Sequence, residues 1–479
     1  MKRYIAVCLL INSLLLCRLS PAEEKERVFR AGAATSNITP PLGALIVGGW
    51  TPLPADEVHD ELHVRCLVLD DGQTQLVIGL CDNVGIPREV FDAARKRVSE
   101  KLDIPPENQL YAATHTHSAS SARSENPTVL AEQLDNYQEF LADRIVDAVR
   151  IAHKRLEPAQ VGWGSVEEPS ELFNRRWFVA EEDQRRNPFG GVDQVRMNPG
   201  KSTLLRPAGP VDPELSFLAV KSMDGRPLAV VANYSLHYVG GVPSRVISAD
   251  YFAVFARRLA DELQVQPQYP PFVGILSNGT SGDVNNINFR DRGPSLPPFE
   301  KMEQVGRLVA RRVAEAMPGI QYHSWVSLDA RRTELTLSVR HPTAEMLQYF
   351  EQVKARPAGQ PAYHQHELTY AERVAQLANS PDTVVVPLQA LRIGELAIAA
   401  IPFEVFTEIG LEIKKNCPLA DCFTIELAGG SYGYLPTPEQ HALGGYETWM
   451  GTNRVQLDAS EMITGQMLEM MNELHKQSK

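Results

Sequence analysis

No Cys-x-x-Cys pair occurs in this sequence, and its six cysteines are scattered along 479 residues. A thiolate zinc knuckle and a disulfide-stapled miniature fold are thereby set aside. There is no internal repeat, heptad run or low-complexity tract, so solenoid and coiled-coil architectures are also set aside. Beyond residue 22 no stretch reaches the ~20 consecutive apolar residues of a membrane-spanning helix. Positive charge is in deficit: 47 Lys and Arg face 59 Asp and Glu, a formal net charge of −12. That balance argues against a nucleic-acid partner and against simple electrostatic docking on anionic lipid.

What is present begins with an export signature. Lys2 and Arg3 precede a short apolar run from Tyr4 to Leu16, and Ser20-Pro21-Ala22 offers small residues for cleavage. Residues 1–22 are expected to be a signal peptide, which places the mature protein in the periplasm or outside the cell. Its removal takes the formal charge from −12 to −15 and leaves Cys66, Cys81, Cys417 and Cys422. Cys66 and Cys81 read as buried free thiols. Cys417 and Cys422 flank Pro-Leu-Ala-Asp and could pair in an oxidising compartment.

The mature chain, residues 23–479, reads as one domain without a linker. Apolar strand-like runs alternate with amphipathic helical segments, which predicts an α/β fold with a mixed sheet core and flanking helices. Strands are expected at Leu76–Cys81, Gln109–Thr114, Leu215–Val220, Leu228–Tyr234, Phe272–Leu276, Val384–Leu391, Leu396–Ile401 and Phe423–Leu427. Helices are expected at Arg88–Lys101, Leu130–Leu156, Tyr251–Leu263, Phe299–Ala316, Ala344–Val353 and Ser460–His475, the last capped by Ser460. Asp224-Gly225 and Gly394-Glu395 read as hairpin turns. Residues 177–212 read as a long irregular surface loop, and residues 342–382 as a helical insertion over the core.

The chemistry gathers just beyond the strands. Apolar runs lead into Asp82-Asn83, into Thr114-His115-Thr116-His117, into His237, into Ser277–Asp283, into Pro402-Phe403-Glu404 and into Gly429–Tyr434. Ligands of open α/β sheets bind in the crevice beyond the carboxyl ends of strands. Residues two apart in an extended segment face one side, so His115 and His117 are expected to share a cavity. Small residues, Ser118 to Ala122, follow them and leave room for a ligand. His364-Gln365-His366 lies in a polar helical region and reads as surface. Asp82, Asn278 and Asp283 read either as partners that orient ligands or as turn caps.

In order and spread, several short motifs are similar to those of one family. They are Ala31–Pro40, Thr114-His115-Thr116-His117-Ser118, Phe173-Asn174-Arg175, Asn233–His237, Ser277-Asn278-Gly279 with Gly282-Asp283-Val284, Pro402-Phe403-Glu404, Gly433–Thr437 and Gly445-Tyr446-Glu447. Along most of its mature length the chain resembles the catalytic domain of the neutral/alkaline, non-lysosomal ceramidases. The resemblance implies a Zn²⁺ held by His115, His237, Glu404 and Tyr434. It also implies that His117, Arg175 and Tyr446 contact the reacting amide. The implied activity is cleavage of the amide bond of an N-acyl substrate, a ceramide-like lipid of sphingolipid metabolism, by a metal-activated water.

Two departures accompany the resemblance. Asn285 stands where the family has a serine with an assigned role, and the chain ends at Lys479 without the family's β-rich carboxyl-terminal domain. The alternatives are a hydrolase of another amide or ester, and an inactive binding protein on the same scaffold. A lipid substrate calls for a long apolar pocket beside the metal, whereas a polar one calls for a small charged pocket.

Overall fold

The structure, a computed structural model, describes residues 27–123, 126–357 and 359–477. The export signal expected over residues 1–22 lies outside the described residues. The principal strands are β1 (Arg30–Asn37), β2 (His63–Asp70), β3 (Gln75–Cys81), β4 (Gln109–Ala113), β5 (Glu157–Glu167), β6 (Glu214–Ser222), β7 (Pro227–Tyr234), β8 (Val273–Asn278), β9 (Leu328–Ser338), β10 (Thr383–Ile393), β11 (Leu396–Ile401) and β12 (Asp421–Glu426). The principal helices are α1 (Arg88–Leu102), α2 (Asn136–Lys154), α3 (Asp250–Glu262), α4 (Glu300–Ala316), α5 (Ala344–Lys354), α6 (Glu367–Ala378), α7 (Thr407–Asn416), α8 (Pro438–Leu443) and α9 (Ala459–Lys476).

Strands β1–β8 form one mixed sheet in the order β8-β7-β6-β5-β1-β2-β3-β4, with the short strand Tyr322–His323 pairing off β5. Strands β9–β12 form a second sheet in sequence order. The two sheets pack face to face over a shared core that includes Leu67, Ile78, Leu110, Val231, Ile275, Ile398 and Phe423. Helices cover the outer faces: α1 and α2 over β1–β4, α3 and α4 over the β5–β8 side, and α5, α6, α7 and α9 over the small sheet. The result is a four-layer sandwich.

Strands buried on both sides explain the near-continuous apolar runs. In β11, Leu396, Ile398 and Ala400 face the sheet-to-sheet core, while Ala397, Ala399 and Ile401 face the helices. The predicted α/β class and mixed sheet are therefore those of the folded chain.

Each of the three parallel pairs among these principal strands, β3/β4, β7/β8 and β11/β12, ends its strands at a common edge. The large sheet curves until β8 approaches β2, β3 and β4, and β12 reaches β4, β7 and β8. Asn233 at the end of β7 ties three strands together, donating to Ser277 Oγ (2.9 Å) on β8 and to the Thr424 carbonyl (3.0 Å) on β12. This curvature brings sequence-distant strand ends into one crevice.

Asp224-Gly225 turns β6 into β7, and Gly394 turns β10 into β11. Both glycines have positive φ, which a side chain would strain. Residues 177–212 depart from the expected irregular loop. Arg176–Val179, Val195–Met197 and Leu204–Pro207 form a small three-stranded sheet. The helical insertion is present as α5 and α6. Ser460 lies inside α9, which starts at Ala459 after Asp458. Among the described residues Cys66, Cys81, Cys417 and Cys422 are all free, so Cys417 and Cys422 are not paired here.

Candidate metal centre

His115 follows β4 directly. Its backbone adopts a left-handed conformation (φ 67°), and its N–H donates to the Asn83 carbonyl (3.0 Å). The segment is thus bent, not extended, at His115, yet His117 still turns into the same cavity. Glu404 and Tyr434 are register partners in a pair of two-residue parallel strands, Glu404–Val405 and Tyr434–Leu435, which sets their side chains on one face. His237 stands three residues beyond the end of β7.

The sequence-predicted groups converge. His115 Nε2 lies 3.3 Å from Glu404 Oε2, and His237 Nε2 lies 3.9 Å from the same oxygen. The ligating nitrogens of His115, His117 and His237 all fall within 4.8 Å of one another, a group able to hold a metal ion. Tyr434 OH accepts a hydrogen bond from Arg175 Nη2 (3.0 Å), and the Tyr434 and Tyr446 rings meet edge to face at 5.7 Å.

The far sides of two imidazoles are anchored. His115 Nδ1 is 2.6 Å from the Val84 carbonyl, and His237 Nδ1 is 3.1 Å from the Ser281 carbonyl. A carbonyl only accepts, so each Nδ1 carries the proton and each Nε2 presents a lone pair. His117 differs. Its Nε2 is 3.0 Å from His115 Nε2, its Nδ1 is unpartnered, and its ring stacks on Tyr238 at 3.8 Å.

His237 Nε2 and Glu404 Oε2 are buried without any hydrogen-bond partner. Unsatisfied buried polar atoms cost about 1–3 kcal/mol each, more when charged. Burial, followed by the neighbouring His115, holds the His117 and His237 rings well below the ordinary imidazole pKa. Burial pushes the Glu404 carboxyl up, but His115, His237 and Arg123 outweigh it and hold the group well below the usual range. Imidazole nitrogens beside a carboxylate held low form a donor set that suits a divalent ion. Tyr434 is pushed well above the ordinary tyrosine value by burial, with Arg175 pulling it back.

Several contributors carried no distinguishing signal in the sequence. Glu426, the last residue of β12, accepts from Ser281 Oγ (2.7 Å), Ser281 N–H (3.3 Å) and Val405 N–H (2.7 Å). It thereby braces the backbone that carries both His237's anchor and Glu404. Its place at the end of an apolar strand was the available clue. Glu447 bridges Arg175 Nε (2.9 Å) and Arg176 Nη1 (2.7 Å), all three fully or nearly buried.

Of the three residues left open between orienting and capping roles, Asp82 pairs with Arg65 and the His63 N–H, away from the imidazoles. Asp283 accepts from the N–H and Oγ1 of Thr407 at the start of α7. Asn278 is buried with both amide atoms unpartnered. Asn285, at the position of the family serine, donates to Asn198 Oδ1 (2.8 Å). His364 and His366 line a separate cavity of about 220 Å³ that shares Trp50, Met197 and Tyr446 with the main one.

The main cavity, about 450 Å³, contains His115, His117, Arg175, Glu404, Tyr434 and Tyr446. Among the described residues no helix is long and apolar enough to cross a membrane.

Comparison with known proteins points to one family. No family model matches the chain. Neutral ceramidase A of Dictyostelium discoideum is 25% identical over 196 residues, 40% of this chain and 25% of that protein. Neutral ceramidase of Pseudomonas aeruginosa is 23% identical over 347 residues, 69% of this chain and 48% of that protein. The matched segments thus span between a quarter and about half of these relatives' lengths. In fold, the crystal structure of neutral ceramidase from Pseudomonas aeruginosa is similar with a TM-score of 0.67 at 20% identity, covering 94% of this chain and 75% of that one. A ceramidase complexed with C2 gives a TM-score of 0.69 at 18% identity, covering 94% and 76%. The resemblance read from the motifs stands.

Proposed function

We propose that this chain, related to the neutral ceramidases by motif and by fold, is an exported zinc-dependent hydrolase that cleaves the amide bond of an N-acyl substrate. The observation that carries the reading is the buried, unpartnered pair His237 Nε2 and Glu404 Oε2 beside His115 Nε2. His115, His237, Glu404 and Tyr434 would hold the ion, the first two oriented by the Val84 and Ser281 carbonyls. Zinc bound there supplies activation of water and polarisation of the scissile carbonyl.

The chain's own residues do the remainder. His117, its Nε2 3.0 Å from His115 Nε2 at the mouth of the donor set, is placed to pass a proton to the leaving amine. Arg175 fixes the Tyr434 hydroxyl and, with the Tyr446 hydroxyl, offers donors to charge developing on the carbonyl oxygen. Loss of one such donor costs on the order of 2.7–4 kcal/mol of transition-state stabilisation. Asn285 is engaged with Asn198, so the reading needs no nucleophile at position 285.

A second reading keeps the ion but uses His117 as its third nitrogen ligand, favoured by the 4.8 Å grouping. The unanchored His117 Nδ1 argues for the first. The test is bound metal in purified protein, with hydrolysis of a fluorescent short-chain ceramide and of simpler N-acyl amides before and after chelation. Stoichiometric zinc and chelator-sensitive turnover support the reading. Full turnover in metal-free protein sinks it.

A further inference from the structure

The wall of the main cavity opposite the imidazoles is cationic. Arg123, Arg373 and Arg454 line it together with Arg175, and Glu404 is the sole carboxylate among its lining residues. Arg175 is neutralised from behind by Glu447. Arg123 reaches Glu404 Oε1 only at 3.9 Å. Among the described residues no carboxylate lies within ion-pair distance of Arg373 or Arg454. Arg373 Nη1 makes two long contacts to hydroxyls, Thr452 Oγ1 (3.3 Å) and Tyr370 OH (3.4 Å). The Arg454 side chain, half-buried over Gly433 next to Tyr434, makes no side-chain hydrogen bond among the described residues.

These arginines come from distant places: the loop after His117, helix α6 of the insertion, and the segment before α9. Burial, followed by the neighbouring Arg373 and Arg123, lowers Arg454 to about 10. Half-buried guanidinium groups held together without carboxylates are a cost to the fold. Planar guanidinium forks match carboxylate and phosphate oxygens two at a time. The lining is more polar than apolar, its apolar part coming from Val47, Trp50, Pro127, Met197 and the tyrosine rings, and the volume suits a small ligand, not two long chains.

We propose that the substrate is a small N-acyl amide bearing an anionic group, a carboxylate or a phosphate, which Arg373 and Arg454 bind while the scissile carbonyl faces His115 and Glu404. This deepens the hydrolase reading and rests on it for the cleavage step. In that step water adds across the acyl C–N bond. Its hydroxyl goes to the carbonyl carbon and a proton goes to the departing nitrogen, giving a carboxylic acid and an amine. The anionic group stays on one product unchanged.

The test compares three amides with one acyl group: hexanoylglycine, hexanoyl ethanolamine phosphate and neutral hexanoyl ethanolamine. Short-chain ceramide is assayed beside them. Binding is measured separately by calorimetry with non-cleavable ketones in which a methylene replaces the amide nitrogen, one ending in a carboxylate and one in a hydroxyl. The carboxylate ketone is expected to bind at least about tenfold more tightly than the hydroxyl ketone. Arg454→Gln and Arg373→Gln are each expected to lower that ratio, and the matching ratio of kcat/KM, by about tenfold or more. Using a ratio within each variant removes the effect of partial misfolding. The phosphate and carboxylate arms identify which anion is preferred.

Anion-selective binding without turnover of any amide keeps this inference and removes the hydrolase reading. Equal binding of both ketones, no binding of either, or ceramide turned over better than the anionic amides with ratios unchanged in both variants overturns it.

Discussion

At the residue scale, the groups behind the ligands decide how firmly the site is held. Burial pushes the Glu426 carboxyl well above its usual range, and a glutamine keeps its shape and a carbonyl acceptor. Glu426→Gln is expected to retain metal, whereas Glu426→Ala strips the partners of Ser281 and Val405. The alanine variant should weaken metal affinity by about 10–100-fold, read by competition with a chromogenic chelator. A glutamine variant as weak as the alanine one would show that charge, not bracing, is what Glu426 provides.

Glu408 gives a pH prediction. Burial, then the Asp283 charge, raises its carboxyl to about 7, and Gln440 Nε2 donates to it at 2.8 Å. The folded state therefore binds a proton that the unfolded chain has lost. Stability from this group is full below the ordinary carboxyl value of 4.5 and declines as pH rises toward 7. Glu408→Gln should melt like the parent at pH near 4.5 and higher than the parent at pH near 8. A variant whose Tm gap does not widen with pH would contradict this.

The legibility of the site follows residue by residue. His115, His237, Glu404 and Tyr434 stood out because each interrupts the end of an apolar run. Glu426 did not, because it is the last residue of such a run. Arg373 and Arg454 gave no signal, since only the folded chain brings the α6 insertion beside the segment before α9.

At the element scale, strands such as β3 and β11, buried on both faces, were read from their apolar runs, whereas β2 is equally buried and was not, because His63, Arg65 and Asp70 break up its run. β9 was missed because its Arg331, Arg332, Thr333 and Glu334 face partly outward on an edge strand, and polar alternation hides a β segment in a helix-rich region. β5 was missed for a related reason: Glu157–Glu167 alternates buried and partly exposed residues around two glycines. The left-handed bend at His115 was not visible either, since histidine seldom adopts it and no glycine marks the turn.

Two further expectations belong here. A Cβ at Gly282 would stand 2.6 Å from the Glu404 carbonyl oxygen and 2.9 Å from that of Val405. Gly282→Ala should therefore displace the Glu404 strand, costing about 1–3 kcal/mol by urea unfolding and lowering metal affinity in parallel. Unaltered affinity would mean that the strand yields elsewhere. Glu447 joins the segment after α8 to the Arg175–Arg176 segment through two buried ion pairs. Glu447→Ala leaves both guanidiniums without their carboxylate, and about 3–5 kcal/mol of stability should be lost. A loss under ~1 kcal/mol in the same unfolding assay would show that backbone carbonyls suffice for the two arginines.

At the scale of the whole molecule, a chain of net charge −12 concentrates four arginines in its central cavity. The exterior would repel an anionic ligand at long range, while the cavity attracts it at short range, so association should quicken as salt screens the surface. The curved large sheet is what makes the crevice possible, because β4 at one edge and β7 next to the other deliver His115 and His237 to one point. The α/β class, with a mixed sheet and flanking helices, was legible from the apolar runs, but the division into two packed sheets was not. The curvature was not, since it arises from packing between sheets.

The most direct test is a zinc-edge anomalous difference map from crystals of the protein grown with zinc at one equivalent. The account predicts a single peak bounded by His115 Nε2, His237 Nε2 and Glu404 Oε2, with the Tyr434 hydroxyl next to it and His117 outside ligand distance. A map with no peak there, or a peak ligated by His117 in place of Glu404, would contradict it.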